Sequence, residues 1–416
     1  MVKIAVMGFG IVGSGVVEVI RKNSESISRK AGKKIDVKYI LDIRDFPDSP
    51  EKHLLTKNVE DILNDDEVSI VVEVMGGIEP AYTYTKRALL SGKHVVTSNK
   101  ELVATHGAEL LHIAKEKNIN YLFEASVGGG IPIIRPLNQC LAANQISEIV
   151  GILNGTTNYI LTQMIKEGRS FEDALQDAQE KGYAERNPAA DVEGHDACRK
   201  IAILSSLTFG YHVDSTRIYT EGITKISIED VEYAEQMGSV IKLLAVSKKI
   251  GEKIFARVSP VIIPKTHPLA GVEDVFNGIL VKGDAIGDVM FYGRGAGKLP
   301  TASAVVADII DIVKNIDRNN RFIWSKSTND ILIDIGETTS SYFVRVKTDD
   351  KPAVINTVSK AFGNCNFISI DNPKTQDEVA FVTPERKEKE LQAALNNINN
   401  VPFVNAVCSV IRVEKE

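Results

Sequence analysis

Cysteine is scarce in this sequence: four in 416 residues, Cys140, Cys198, Cys365 and Cys408. They are too scattered for a zinc spacing or a disulfide framework. No apolar run is long enough to span a bilayer, and no basic block of the kind that tracks nucleic acid is present. The opening MVKIAVMGFG has no basic segment ahead of a cleavable apolar one, so no secretory signal is expected there. These absences lead to the expectation of a soluble cytoplasmic protein with neither membrane nor nucleic acid among its partners. What is present is an ordinary globular composition, 44% apolar and 25% charged, with 49 basic against 55 acidic residues and a net charge of -6. A chain of 416 residues exceeds one ordinary core, so two or three domains are expected.

The N-terminal stretch carries the first specific signal. KIAVM, Lys3 to Met7, is a buried-strand pattern; GFGIVG, Gly8 to Gly13, follows at once; a helical stretch runs from Ser14 to Arg21. The glycine spacing alone is weak, but between a strand and a helix it is a dinucleotide fingerprint. Gly8 permits the tight turn, Gly10 lets the backbone approach a pyrophosphate, and Gly13 lets helix and strand pack closely. Phe9, Ile11 and Val12 complete the phosphate-facing turn, whose helix N-terminus offers amides and a positive dipole end. The second strand, IDVKYIL, ends at Leu41, later than the usual spacing, so the first helix or its loop must be extended. Asp42 suits a ribose 2′-hydroxyl and NAD; Arg44 suits a 2′-phosphate and NADP. The choice stays open.

Alternation continues. VSIVVEVMGG (68–77) is a strand and glycine turn, a helix follows, HVVTSNK (94–100) is a strand and its exit, the next helix spans 101–117, and NYLFEASVGGG (120–130) closes the series. Strands alternating with helices mean a doubly wound parallel sheet of Rossmann type, with ligands at the carboxyl ends of its strands. Thr97 and Ser98 stand at such an end. Lys100 sits at a helix start, where the dipole disfavours a cation; that suits a group that handles a proton or binds an anion. A solvated lysine is the plain alternative.

A second stretch, DVEGHDACRKIAILSSLTFG, reads as one helix from Asp191 to Gly210, with Asp191 as N-cap and Gly210 as stop. Asp196 and Lys200 stand four apart on one face, which turns apolar at Ile203, Leu204 and Leu207. By itself the pair is equally a surface ion pair worth a few tenths of a kcal/mol. Before it, GILNGTTNYILTQMI (151–165) is strand, polar turn and helix, and Asn154, Gly155, Thr156 and Thr157 put amides and hydroxyls at that helix start. IFARVSPVII (254–263) and GILVKGDAIG (278–287) alternate at period two, as strands of an open antiparallel or mixed sheet do. FYGRGAGKLP (291–300) reads as a glycine-rich loop, and a helix over 301–314 returns to the first domain.

Seven segments together, GFGIVGSGVV, VVEVMGG, HVVTSNKELVA, EASVGGGIPIIRPL, GILNGTTNYILT, GYAERNPAADVEGHDACRK and FYGRGAGKLPTASAVVAD, resemble the homoserine dehydrogenases. They run in the family's order through about three-quarters of the chain. No aspartate-kinase module precedes Met1, so the resemblance is to the monofunctional form. It implies NAD(P)-dependent interconversion of L-aspartate 4-semialdehyde and L-homoserine, in threonine, methionine and isoleucine biosynthesis. It also implies roles: Lys200 as proton donor with Asp196 beside it, Lys100 as the second essential lysine, and Glu185, Asp191, Asp196, Gly155 and Thr156 toward the substrate. Gly8 to Gly13, Arg44, Thr97, Ser98, Lys100, Gly182 and Gly297 are implied cofactor contacts. Carbonyls of Glu124, Val127, Gly129 and Ile131 match a monovalent cation site, usually sodium. A homodimer or dimer of dimers is expected. The alternatives are another NAD(P)-dependent amino-acid dehydrogenase on the same scaffold, and a non-catalytic amino-acid or nucleotide sensor.

The tail reads strand, helix, strand, strand, helix, strand from Ser341 onward, a ferredoxin-like plait. It resembles an ACT domain, an amino-acid-sensing module, with threonine as the implied effector. Ala353 departs from the glycine usual at the ACT turn. The expected division is 1–130 plus 301–325 for the nucleotide domain, 131–300 for an α+β substrate and dimerisation domain, 326–340 for a linker and 341–416 for the ACT-like domain.

Overall fold

The structure, a computed structural model, describes all residues except 320, 321, 323, 326–329, 415 and 416. Four residues of the expected linker therefore lie outside the described residues. By internal contacts the chain forms two compact units: Met1–Ser147 with Arg199–Thr216 and Lys282–Asp330, and Glu148–Cys198 with Arg217–Val281 and Ile331–Glu416.

The first unit is built on a six-stranded sheet: β1 (Val2–Met7), β2 (Ile35–Leu41), β3 (Leu55–Thr56), β4 (Val68–Glu73), β5 (His94–Thr97) and β6 (Tyr121–Leu122). The order is β3-β2-β1-β4-β5-β6 and every pairing is parallel. Strand order reverses between β1 and β4, which is where such sheets open a crevice for a dinucleotide. β1 and β4 are almost wholly buried, which is why they read as continuous apolar runs rather than alternating ones. The late second strand has its cause: the first crossover holds two helices, Ile11–Lys22 and Ser24–Ala31. The helix Lys298–Lys314 packs on Ile11–Lys22 and shares one apolar core with β1, β2 and β4. A Cβ on Gly15 would stand 2.9 Å from the Lys298 carbonyl oxygen, so this crossing needs a glycine there.

The remaining strands are β7 (Ile146–Ile152), β8 (Tyr219–Thr220), β9 (Ser239–Ile250), β10 (Lys253–Pro264), β11 (Phe276–Gly283), β12 (Gly287–Arg294), β13 (Thr339–Thr348), β14 (Asn366–Ile368), β15 (Glu378–Val382), β16 (Arg386–Lys387) and β17 (Val404–Val413). β12 corrects the expected loop over 291–300: its first residues are strand, and the open turn shrinks to Gly295–Gly297 before the helix at Lys298. In the second unit the sheet runs β11-β7-β9-β10-β17-β13-β15-β14, with β8 beside β10. β9 and β10 form a long antiparallel hairpin. β10 is buried along its whole middle, not on alternate residues, which means that both of its faces are covered there.

The tail follows the order β13, helix Lys351–Phe362, β14, β15, helix Glu388–Asn399, β17, with all its strand pairs antiparallel. β17 also pairs in parallel with β10, Val261 opposite Arg412. The linker residues join in: Ile254 N–H donates to the Ile331 carbonyl at 2.7 Å, and Ile333 N–H to the Ile254 carbonyl at 2.9 Å. Ala353 lies in the first turn of its helix, its N–H taken by the Asp350 carboxylate at 3.0 Å, and so not in the loop itself.

The stretch expected as one helix from Asp191 is two, Ala189–Val192 and His195–Phe209. Gly194 breaks it at φ +83°, a conformation the continuous apolar spacing does not reveal. Asp191 is therefore inside a short helix whose N-cap is Pro188. Gly210, at φ +80°, ends the second helix as expected.

Candidate active site

At the β1 end the chain turns at Gly8, φ +100°. A Cβ on Gly13 would lie 1.9 Å from the Gly8 carbonyl oxygen, so helix and turn meet backbone to backbone. Over Gly10 there is room: the nearest atom to a Cβ would be Arg44 Nη2 at 3.8 Å. No side chain caps the helix that starts at Ile11, and Ile11 itself is exposed. An uncapped helix start beneath an open glycine is a cradle suited to a pyrophosphate.

Phe9 N–H donates to Asp42 at 2.8 Å, tying the turn to the end of β2. Arg44 takes the same carboxylate in bidentate fashion, Nε and Nη2 both at 2.9 Å, and adds its backbone N–H at 3.0 Å. Arg44's guanidinium and these amides hold the Asp42 carboxyl well below the usual carboxylate range. Asp42 is buried and Arg44 exposed.

The ends of β4 and β5 are organised by a residue that sequence reasoning missed. Glu73 is fully buried; it accepts from Thr97 Oγ1 at 2.6 Å and from Met75 N–H at 2.8 Å. Burial pushes its carboxyl up. Thr97 Oγ1 in turn accepts from Asn99 N–H at 2.9 Å, and Asn99 donates to the Gly77 carbonyl at 2.6 Å while capping the next helix through Leu102 N–H at 3.1 Å. The hydroxyl of Thr97 is thus spent inside the protein. Ser98 is half-buried, and Lys100 is the first residue of the helix Lys100–Glu116.

Glu101, next in the chain, pairs with Arg199 at 3.2 Å. That bond ties the start of the Lys100 helix to the segment holding Lys200, and both lie in the first unit. Lys200 is only 8% exposed. Asp196, 3% exposed, is one turn earlier in the same helix.

In the second unit Asn154 is the organiser. It caps the helix Gly155–Glu167 through Thr157 N–H at 2.9 Å. Its amide donates to Asp191 at 2.7 Å and to Asp196 at 2.9 Å, so Asn154 meets two carboxylates remote from it in sequence. Gly155 and Thr156 have structural duties: a Cβ on Gly155 would meet the Val275 carbonyl oxygen at 2.8 Å, and Thr156 Oγ1 donates to the Tyr183 carbonyl at 2.7 Å. Gly182, φ +73°, and Glu185 are exposed on the turn after the helix Phe171–Glu180. Among the described residues no bond joins the Glu185 carboxylate to the Asn154 cluster. Gly297, φ +129°, starts the helix that packs on Ile11–Lys22.

The loop after β6 is held by Glu124, whose carboxylate accepts from the amides of Ile133, Ile134 and Arg135 at 2.7–2.8 Å. Its own N–H donates to Asp308 at 2.8 Å. Burial and Glu124's charge push the Asp308 carboxyl up, against the opposing Arg135. Val127, Gly129 and Ile131 are buried, and among the described residues no turn or loop hydrogen bond ends on their carbonyls. Buried carbonyls of this kind need a partner. Among the described residues no cluster of His, Cys, Asp and Glu fits a metal ion, so any cation here rests on carbonyls.

Residues 8–124 match a family model described as the NAD binding domain of homoserine dehydrogenase, and residues 132–310 match the homoserine dehydrogenase model itself. The chain belongs to the homoserine dehydrogenase family. A homoserine dehydrogenase of Synechocystis is 42% identical over 99% of this chain and 99% of its own length. A crystal structure of a homoserine dehydrogenase from Thiobacillus denitrificans superposes at TM-score 0.92, with 36% identity, covering 100% of this chain and 98% of that one. A mutant hyperthermophilic archaeal homoserine dehydrogenase in complex with NADPH has TM-score 0.64 and 30% identity, covering 74% of this chain and 97% of that one. Homoserine dehydrogenases are oxidoreductases that interconvert L-homoserine and L-aspartate 4-semialdehyde with a nicotinamide cofactor. The sensor and the other-dehydrogenase readings are not favoured. Among the described residues no helix is long and apolar enough to cross a membrane.

Proposed function

We propose that Lys200 is the proton donor and acceptor of the reaction and that Lys100 holds the developing charge beside it. A nicotinamide cofactor, when bound, supplies the hydride chemistry. Lys200 holds a proton at Nζ, gives it to the aldehyde oxygen in reduction and takes it from the homoserine hydroxyl in oxidation. Asp196 keeps Lys200 charged and Asn154 orients Asp196. Glu185 and Asp191 meet the substrate's ammonium, whereas Gly155 and Thr156 shape the wall. The observation that carries this reading is the Glu101–Arg199 ion pair, because each partner is the chain neighbour of one lysine. Spectrophotometric homoserine oxidation with NAD and NADP in parallel tests it; no turnover with either cofactor rejects it.

Finer points follow from the same residues. Arg44 favours NADP, the phosphate displacing its grip on Asp42; Gly182 and Gly297 border the cofactor. A sodium ion held by carbonyls of Glu124, Val127, Gly129 and Ile131 would satisfy buried acceptors. The tail is an ACT-like module through which threonine acts. The protein works in the cytoplasm as a homodimer or dimer of dimers, with the domain division given above.

A further inference from the structure

Glu73 is the one acid in β4, and it stands at the seam of the nucleotide sheet. As the last residue of its strand it is opposite Met7 of β1 on one side and Thr97 of β5 on the other. Gly8 follows Met7, and a Cβ on Gly8 would meet the Val74 carbonyl oxygen at 2.9 Å. The first turn of the phosphate cradle therefore packs on the residue after Glu73. Strand order reverses at this seam, and the carboxyl ends of such strands receive a dinucleotide.

The Glu73 side chain is 0% exposed. Met75 N–H reaches one of its oxygens at 2.8 Å and the Thr97 hydroxyl reaches the other at 2.6 Å. Gly76 N–H and the Asn99 side chain add to these bonds. The Thr97 hydroxyl accepts from Asn99 N–H at 2.9 Å, so its own proton is left for Glu73. Burial opposes ionisation, but donors on both oxygens are bonds to the charged form and favour it. Tyr121 on β6, whose hydroxyl is buried without a hydrogen-bond partner, is held neutral by burial and by Glu73's charge.

A buried carboxylate ordinarily has a cation beside it. In the same unit the buried Asp42 has Arg44 and the buried Asp308 has Arg135. Among the described residues Glu73 has no ion-pair partner, only neutral donors. A nicotinamide dinucleotide offers one cationic group, and only in one redox state: the oxidised ring. Its phosphates are anions and suit the helix start at Ile11, whereas adenine and the reduced ring are neutral. We propose that Glu73 is a buried counter-charge for the oxidised nicotinamide and sets the balance of affinity between oxidised and reduced cofactor. Contact is not required, because a charge in the dry end of a sheet is weakly screened and acts over several ångströms. Thr97 and Met75 hold the carboxylate in place, so it need not reorganise when the ring changes charge. The inference rests on the nicotinamide reading of the site and not on the roles of Lys100 and Lys200.

The test uses the full chain without substrate. Dissociation constants for NADP and NADPH, and for NAD and NADH, are measured by calorimetry on the parent and its variants. Glu73→Gln keeps the shape and removes the charge, and it should weaken the oxidised form relative to the reduced one by about ten-fold. Thr97→Val keeps the charge and loosens the loop, so it should weaken both forms alike and leave their ratio unchanged. The inference falls if Glu73→Gln leaves the ratio as it is in the parent, however far both affinities drop, or if Thr97→Val shifts the ratio as much. Should Glu73→Gln fail to fold, Glu73→Met, an uncharged side chain of the same reach, decides by the same ratio. A parent that binds neither redox form rejects the nicotinamide reading and this inference with it. A parent that binds both, with a ratio insensitive to Glu73, rejects this inference alone.

Discussion

Glu101 and Arg199 are joined by an ion pair at 3.2 Å, and each stands immediately beside a lysine. The pair is half-exposed, so its own contribution to stability is small. Its value is positional: it fixes the first turn of one helix against an early turn of another. Lys200→Ala should therefore lower kcat by a factor of about 10² to 10⁴, the usual loss when a positioned acid is removed. Cofactor binding, followed by fluorescence, should stay within a few-fold. A variant that turns over nearly as fast as the parent would strip Lys200 of the role.

Much of the nucleotide half was legible because its strands are buried on both faces and punctuated by glycine. Gly8 and Gly13 declare a turn and a backbone contact that other residues would break. Glu73 was not legible. In VVEVMGG it is one acid in an apolar run, and nothing local says that Thr97 and Met75 will meet it. The break at Gly194 was hidden by apolar spacing that runs on through it, although a mid-helix glycine is itself a warning. Long-range pairs were the hardest. Asn154 joins Asp191 and Asp196 across about forty residues, and Arg412 reaches Glu221 across 191.

Arg44 carries the second prediction. Its side chain is exposed and pre-set on Asp42, with both carboxylate oxygens occupied. A 2′-phosphate competes for that guanidinium, whereas a 2′-hydroxyl would have to win Asp42 from it. Arg44→Ala should raise KM for NADP ten-fold or more and leave KM for NAD equal or lower. Kinetics with both cofactors on one preparation reads this out. Equal loss for both would make Arg44 a structural brace for the turn at Phe9.

Acid sensitivity should come in part from His94. It is buried in β5, accepts from Asn120 N–H at 3.0 Å, and is pushed down to about 4 by burial, with Asp317 and the Ile316 backbone opposing. Between about pH 4 and 6.5 the unfolded chain binds a proton that the folded one refuses, so stability rises with pH across that window and falls on acidification. The depression corresponds to roughly 3 kcal/mol, as an order of magnitude. Urea unfolding at pH 7, 5.5 and 4.5 should show His94→Gln losing less stability on acidification than the parent. Parallel losses in the two proteins would show that another group governs the acid limb.

The tail gives the last prediction. Two of its arginines serve the rest of the second unit: Arg345 lies 3.3 Å from Asp230 and 3.8 Å from Glu229, and Arg412 holds Glu221. β17 also extends the β10 ladder. Ending the chain at Ser340 removes all three ties and leaves Asp230, fully buried, without its cation. The residues proposed as catalytic are untouched, and the archaeal relative that matches only 74% of this chain shows that a shorter chain still carries the fold. The truncated protein should keep kcat within about an order of magnitude, because its lysines and Asp196 are in place. It should melt lower, by the several degrees that a loss of about 2–3 kcal/mol brings in a protein of this size. Any threonine inhibition of the full chain should vanish with the tail, since the plait proposed to hold the effector is gone. Homoserine oxidation with and without threonine, on both forms, measures it. Inhibition that persists after truncation would place the effector site in the catalytic body and remove the tail from regulation.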